Sequence, residues 1–441
     1  MVTKEHVKTI SKLAFPIAIA QSSLLAMSLI DLAMVGSLGN NAVAAVGLAV
    51  FTNALIVSFV VGITPAVQGL VARRRGEGST EPKCLALNGG LVVALAVGIP
   101  LTLICWILGP FFFSLISSDP DVTKIGVPFL RTIFIGLVGD AINFAFKGYW
   151  SGMEKPKIYM SIVIIMDCVN IVTNYVFIFG HFGAPALGAT GAAVGTVVAL
   201  FTGVAVNAVI TSVKFRKEGF LTARPPLSLL ARIATLGVPA TMQEIFLEAG
   251  YVVFFWLVGR VGTVELAAGN VVVRITMVLL LFSMSLGNAS ATLVSRTLGE
   301  GDPAGAAEWG WDSGKMGVIG ITILGLPLVL FPRAFLSIFL TDPHTMSIAV
   351  LPMQLVGATA GIVSLLYIFA YTLFSVGDGK RVMLVSLFTT WLVLIPGVWF
   401  VGPHLHYGLL QIILVQGAAS FMATGLVTSF WAGGRWQRIA L

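Results

Sequence analysis

Apolar residues run through this chain in long unbroken stretches rather than in the alternation of half-buried strands or the one-sided stripe of surface helices. A membrane-spanning helix needs about 20 mostly apolar residues. Stretches of that kind recur about twelve times between charged or Gly/Pro-rich breaks, at residues 10–37, 43–72, 84–110, 124–150, 157–180, 188–213, 230–259, 266–296, 313–332, 347–373, 382–402 and 408–433. They are too long and too continuous for the roughly ten-residue alternating segments of a membrane β-barrel. The expected fold class is therefore all-α and integral to a membrane. The lead from Met1 to Lys12 is basic and has no apolar core of its own, so the first span is expected to stay in place rather than be cleaved.

Composition removes whole classes of function. Of the 441 residues 57% are apolar and 10% charged, against roughly 25% charged in a soluble domain, and the mean hydropathy is +0.97. No stretch remains for a polar catalytic domain. Cys84, Cys105 and Cys168 have no paired spacing, so neither a disulfide framework nor a zinc site is indicated, and they read as buried filler. Gly76-Glu77-Gly78 lacks the lysine-serine ending of a phosphate loop, and no Ser/His/Asp array accompanies it. Neither an enzyme, nor a resident metal, nor an organic cofactor is expected.

The distribution of cations orients the spans. Lys4, Lys8, Lys12, Arg73 to Arg75, Lys83, Lys147, Lys155, Lys157, Lys214, Arg216, Lys217, Arg224, Arg232, Arg296, Lys315, Lys380, Arg381, Arg435 and Arg438 fall on one side. They are 21 of the 26 lysines and arginines. Positive loops stay inside, so both termini are expected in the cytoplasm. The pI near 9.4 follows from these loops and calls for membrane lipid, not nucleic acid, as partner. A monomer is expected.

Sliding the chain against itself by 223 residues brings Pro16 onto Pro239, Gly36 onto Gly259, Gly39 onto Gly262, Ala44-Ala45 onto Ala267-Ala268, the Arg73 to Gly78 loop onto Arg296 to Gly301, and Asp119-Pro120 onto Asp342-Pro343. Each half holds an even number of spans, so the repeats point the same way. The expected organisation is an N-terminal six-helix bundle at 1–213, a cytoplasmic linker at 214–229 and a C-terminal six-helix bundle at 230–441. Pro16 and Pro239 each remove a backbone donor and offer a hinge. Gly191-Ala-Ala-Val-Gly195 reads as a helix-packing seam.

Ionisable groups at membrane depth are costly and are functional candidates by default. Asp31 shares a face of the first span with Gln21 and Ser28; the fifth span carries Asp167, Asn170 and Asn174 at i, i+3 and i+7; the fourth carries Asp140, Asn143 and Lys147 at the same spacing. The seventh span carries Glu244 and Glu248 one turn apart, with Arg274 on the eighth as a partner. Phe254 stands at the mirror position of Asp31, so helix packing symmetry does not require that acid. Burial disfavours the charged form of a carboxylate, which is the chemistry of a proton relay.

The Pro16 and Asp31-Leu-Ala-Met-Val-Gly36-Ser-Leu-Gly39 opening, its echo around Gly259 and Gly262, and the paired Arg-x-x-Gly-Glu-Gly loops resemble the multidrug and toxic compound extrusion (MATE) transporters along essentially the whole chain. The resemblance is to the DinF-like branch. It implies a pseudo-two-fold, twelve-helix secondary antiporter of the bacterial inner membrane that exports amphipathic, mostly cationic small molecules. It also implies a proton site whose matching positions here are Asp31, Asn170, Asn174 and Thr196, with Thr190 as the alternative threonine. Pro16 is the expected hinge. Gln21, Asp140, Asn143, Asp167 and Glu248 are secondary polar candidates. Some relatives have a second aspartate where this chain has Asn174; losing that charge weakens sodium coordination, so protons are the expected coupling ion and sodium the lesser alternative. Sodium-coupled relatives use a glutamate near Glu248 together with a tenth-span acid, and residues 347–374 hold none. Met27 and Met34 are expected in the apolar drug lining. The alternative is a flippase for a lipid-linked precursor, which needs cationic groups for a pyrophosphate; only Arg131 and Arg274 lie clearly inside spans, away from their ends.

Overall fold

The computed structural model describes residues 2–78, 81–117 and 119–439. Its helices, in chain order, are α1 (Lys4–Gly36), α2 (Asn40–Val61), α3 (Ile63–Gly76), α4 (Leu85–Ile116), α5 (Pro120–Ile135), α6 (Leu137–Gly152), α7 (Pro156–Phe179), α8 (Ala189–Phe215), α9 (Leu227–Val261), α10 (Thr263–Gly299), α11 (Pro303–Leu330), α12 (Pro332–Leu336), α13 (Pro343–Ser375), α14 (Gly379–Leu387), α15 (Ile395–Trp399) and α16 (Leu409–Ala432). No strand occurs among the described residues. Ten helical stretches are long and apolar enough to cross a membrane, and α5 with α6, bent by 40°, make an eleventh. The remaining expected span, 230–259, lies within the 35-residue α9, which carries Glu244 and Glu248.

Hydrophobicity marked the spans but not their breaks. Gly62 divides α2 from α3, and Gly136 divides α5 from α6; without a side chain, glycine resists bending least. At Gly62 there is also no room for one, since a Cβ would stand 2.2 Å from the Gly237 carbonyl oxygen and 2.4 Å from Thr241 Oγ1. The stretch after α14 widens into π turns at Phe388–Leu394 and Phe400–His404, around Pro396 and within reach of Pro403, because proline removes a donor from the ladder.

The repeat is visible in atomic detail. Asp119 caps α5, accepting from the Asp121 and Val122 amides at 2.9 and 3.3 Å. Its mirror Asp342 caps α13, accepting from the Thr345 amide at 2.8 Å. The Thr345 hydroxyl and amide hold the Asp342 carboxyl below the usual carboxylate range. Likewise Arg73 pairs with Glu77 at 3.6 Å and Arg296 with Glu300 at 3.0 Å, each across one turn at the end of a helix.

The chain divides into two compact units, one of Ile19–Thr241 and one of Met1–Ala18 with Met242–Leu441. Against the expected boundaries at 213 and 230, the opening of α1 belongs with the C-terminal helices and the opening of α9 with the N-terminal ones. Both crossings fall two residues after a proline, Pro16 and Pro239.

Within the Ile19–Thr241 unit, α8 lies against α7 along Gly191 and Gly195. A Cβ at Gly191 would come 2.4 Å from the Phe177 carbonyl, so the expected packing seam is present. Close backbone approach of this kind supplies the van der Waals contact that joins helices where lipid weakens the hydrophobic drive. On α4, Leu103, Ile107, Phe111 and Leu115 stand four residues apart and are 56–66% exposed; a stripe that apolar on a helix exterior belongs against hydrocarbon. In the other unit Trp431 fills the notch at Gly310 and stacks on Trp436 with ring centroids 4.0 Å apart. Cys84 and Cys105 are buried, but Cys168 is exposed, because it points off the face of α7 opposite the polar stripe and so is not core filler.

Candidate functional site

The i, i+3, i+7 spacing on α7 puts Asp167, Asn170 and Asn174 on one face, and the fold turns that face toward α1 and α8. Asn174 is completely buried and Asn170 is 4% exposed. Asn174 Nδ2 donates to Asp31 Oδ1 at 2.6 Å and to Asn170 Oδ1 at 2.8 Å. Asn170 Nδ2 donates to Thr196 Oγ1 at 3.3 Å, and that hydroxyl donates to the Ala192 carbonyl at 3.1 Å. The four residues expected from the resemblance thus form one connected chain of hydrogen bonds from α1 through α7 to α8. Thr196, not Thr190, is the threonine that joins it; Thr190 lies in the first turn of α8.

Two features show how tightly the amides are held. Gly195 leaves no space beside them, since a Cβ there would stand 2.0 Å from Asn174 Oδ1. That same oxygen is buried and accepts no hydrogen bond. Asn170 also satisfies its surroundings with its amide turned over: its nitrogen then donates to Asp31 Oδ1 at 2.9 Å and its oxygen accepts from the Thr196 amide and hydroxyl at 3.3 Å. Asp31 makes no ion pair among the described residues.

Seven residues back along α7, about 10 Å along the helix axis, Asp167 accepts from Ser23 of α1. Ser23 is the residue that sequence reasoning missed. The proposed face of α1 held Gln21 and Ser28, but Ser28 donates to its own helix at Leu25, and Gln21 Oε1 is buried without a partner. The signal for Ser23 was its spacing, eight residues before Asp31, matching the seven between Asp167 and Asn174.

The other candidates sit elsewhere. Asp140 occupies the first turn of α6, just after the Gly136 break. Asn143 binds the Leu200 carbonyl at 3.0 Å and accepts from Asn207 at 3.2 Å, while Asn207 accepts from Trp150 Nε1 at 2.7 Å; this network ties α6 to α8. Lys147 lies over the Tyr159 ring. Met27 is buried, and Met34 is half-buried and packs against the core of its own unit. In the other unit, Glu248 and Arg274 form no ion pair among the described residues. Pro16 lies inside α1, which continues through it.

One cluster had no sequence signal. His6 Nδ1 lies 2.7 Å from Asp312 Oδ2 and its ring stacks on Trp309, with Lys315 Nζ 2.8 Å from Asp312 Oδ1. Ligand atoms of His6, Glu308 and Asp312 lie within 4.8 Å of one another, as a metal requires. Lys315 and His6 already compensate Asp312, and the group serves as a polar anchor for the first turns of α1 on α11, beside the apolar contact of Ile10, Leu13 and Ala14 with Ala289 and Leu293.

Comparison with known proteins places this architecture. A protein of Bradyrhizobium diazoefficiens named probable multidrug resistance protein NorM is 28% identical over 437 residues, 96% of this chain and 92% of its own length. The multidrug resistance protein NorM of Burkholderia vietnamiensis is 27% identical, with 97% of this chain and 93% of that one covered. Among solved structures, the Vibrio cholerae MATE transporter VcmN in its bent form superposes with a TM-score of 0.87 at 17% identity, covering 98% of this chain and 97% of that one. The eukaryotic MATE transporter AtDTX14 does so with a TM-score of 0.83 at 20% identity over 98% and 97%. These likenesses show the fold and do not distinguish a branch. The MatE family model matches twice, over residues 16–176 and 239–400, and the two matches begin at Pro16 and Pro239, one repeat apart. This chain belongs to the MatE family and is a secondary transporter, not an enzyme.

Proposed function

We propose that this protein is a multidrug exporter of the bacterial inner membrane that expels amphipathic, mostly cationic compounds in exchange for protons, with Asp31 carrying the coupling proton. The observation that carries the reading is the hydrogen-bonded chain Asp31–Asn174–Asn170–Thr196, its two amides buried, whose direction of donation can reverse. With Asp31 ionised, Asn174 donates to it, Asn170 accepts from Asn174, and Asn170 donates to Thr196. With Asp31 protonated, its new O–H adds a donor beside the remaining acceptor oxygens; when both amides turn over, Asn174 presents oxygen to Asp31 and to the Asn170 nitrogen, and the Asn170 oxygen accepts from the Thr196 amide and from its hydroxyl in place of the Ala192 carbonyl. Protonation on α1 is thereby registered on α8 without any charge moving beyond the carboxylate. Asp167, held by Ser23 farther back along α7, is a second station for the proton.

One carboxylate among neutral amides leaves a sodium ion undercompensated, since hard cations favour several oxygen ligands and more negative charge. That supports protons over sodium. The relatives' name, multidrug resistance protein NorM, supports drug export. Substrate and proton would compete through conformation, each favouring a different state of α1 around Pro16.

The test is proton release from acid-loaded proteoliposomes when lipophilic cations are added outside, for the wild type and Asp31→Asn, at several sodium concentrations. Release that is independent of sodium and lost in Asp31→Asn supports the proposal. Release that survives in Asp31→Asn removes Asp31 from the mechanism, and a sodium requirement removes the proton.

A further inference from the structure

The Ile19–Thr241 unit holds a cleft of about 210 Å³ where its helices stop, smaller than the roughly 300–1,000 Å³ of drug-sized sites. Arg74 and Arg75 lie in the last turn of α3, Lys83 stands two residues before α4, and Met153 directly follows α6. A group bound there sits at the depth where membrane helices meet water. The internal repeat shows which of these cations the fold requires. Arg73 recurs as Arg296, and each pairs with a glutamate four residues on. Arg74 and Arg75 fall instead on Thr297 and Leu298, which are 4% and 6% exposed. The turn therefore closes without the second and third arginines, and their presence in one half alone is not a demand of packing.

Their charge is compensated but not used up. Arg74 pairs with Glu81 at 3.1 Å, Arg75 with Glu154 at 3.4 Å and Lys83 with Glu218 at 3.0 Å. Arg75 makes that contact and a 2.8 Å bond to the Met153 carbonyl with the same nitrogen, Nη1, so its Nη2 and Nε have no partner among the described residues. The Arg75 and Lys83 side chains are 37% and 58% exposed, and both heads are open to a ligand. Exposed ion pairs are worth little, so an incoming anion can take a glutamate's place. Lys155 and Lys214 act on the same groups, and the cations here outnumber the three glutamates. An arginine fork beside a lysine suits the oxygens of a phosphate. The adjoining linker points to the source of that phosphate. Asn88 of α4 accepts from the Leu221 amide at 3.1 Å and donates to the Gly219 and Ala223 carbonyls at 2.9 and 2.8 Å, which holds Leu221 at a φ of +56° and 70% exposed. Glu218, three residues earlier, ties this turn to Lys83. A leucine held in the open beside a cationic cleft suits a headgroup with hydrocarbon next to it, not a phosphate free in water.

We propose that the cleft of Arg74, Arg75 and Lys83 is a binding site for the phosphate of an anionic membrane lipid. Basic pockets at the inner ends of membrane helices recognise such headgroups through the chemistry present here. The site is separate from Asp31 and does not rest on the export reading.

The experiment titrates the purified full-length protein, in a neutral detergent, with dioleoyl phosphatidylglycerol or dioleoyl phosphatidylcholine and reads the affinity for the first bound lipid by native mass spectrometry. Wild type should bind phosphatidylglycerol more tightly, and an equal concentration of inorganic phosphate should not displace it. Arg74→Thr with Arg75→Leu, which installs the residues of the mirror loop, should weaken phosphatidylglycerol about thirtyfold, roughly fivefold for each cation, and leave phosphatidylcholine within about twofold. Glu81→Gln removes the carboxylate that competes for Arg74 and should tighten phosphatidylglycerol about threefold, a gain that a merely structural role would not give. Lys8→Gln with Lys12→Gln removes two exposed cations of α1 and should change nothing. The proposal is overturned if wild type binds both lipids alike, if the two double variants weaken phosphatidylglycerol equally, if Glu81→Gln gives no gain, or if inorganic phosphate displaces the lipid, which would make a soluble anion the ligand. Melting curves without lipid check folding; should the arginine double variant not fold, Lys83→Gln carries the test, with a loss of roughly fivefold expected and wild-type affinity overturning the proposal.

Discussion

Replacing Gly195 by alanine tests the coupling chain through sterics alone, with no titratable or polar group changed. The new Cβ would lie 2.0 Å from Asn174 Oδ1, where ordinary contact begins near 3.4 Å, so the amide or α8 must give by about 1.4 Å. The helix cannot retreat freely, because Gly191 on the same seam leaves a Cβ only 2.4 Å from the Phe177 carbonyl. The short Asn174 side chain is therefore the part that yields, and we expect it to lose at least one of its bonds to Asp31 and Asn170, 2.6 and 2.8 Å long. A hydrogen bond to a charged group is worth about 1.5–3 kcal/mol, enough to disturb the balance of protonation states by roughly tenfold or more. The assay is drug-driven proton release across an imposed pH gradient, with thermal stability followed alongside. Gly195→Ala should lose coupled release nearly as completely as Asn174→Leu does. Gly191→Ala, on the same seam but one turn away from Asn174, should melt earlier while still coupling if it folds. Wild-type release in a folded Gly195→Ala protein would refute the argument that the position of Asn174 matters.

Asn174→Asp places a second carboxylate beside Asp31, and sodium should then raise the melting temperature of the variant but not of the wild type; equal responses would show that the carboxylate count does not set ion choice. Asp312→Asn removes the partner of both His6 and Lys315, and hydrogen exchange in the first two turns of α1 should quicken while that of α13 stays unchanged. Asp342 has its carboxyl held below the usual range by Thr345, so its capping contribution is complete above the ordinary aspartate value of 3.8 and fades as pH falls below it. Protection of the first turn of α13 should accordingly drop on acidification in the wild type and be pH-independent in Asp342→Asn. Glu77→Gln and Glu300→Gln remove the exposed glutamates of pairs one turn apart and should each cost less than about 0.5 kcal/mol; a large shift in melting would mean these mirrored turns do more than end their helices.

Much of this protein is written in one dimension. Apolar run length set the spans, because a helix crossing hydrocarbon must be apolar over its whole length. The 223-residue offset revealed the repeat, now visible in the matched caps Asp119 and Asp342. The spacing of Asp167, Asn170 and Asn174 made a polar face legible, since i, i+3 and i+7 share one side of any helix. What the sequence could not contain is which faces meet. The choice of Thr196 over Thr190 and of Ser23 over Ser28 depends on the rotation of α8 and α1 about their axes; for α8 the close packing on α7 at Gly191 and Gly195 fixes it. The joining of His6 to Asp312 spans 306 positions. The exchange of helix openings between units, two residues after Pro16 and Pro239, is likewise a tertiary fact: proline permits a change of direction there, but the contacts on either side decide to which unit each half belongs. Periodicity along a chain fixes what a helix offers on each side, and only the packing of one helix on another decides which offer is taken up.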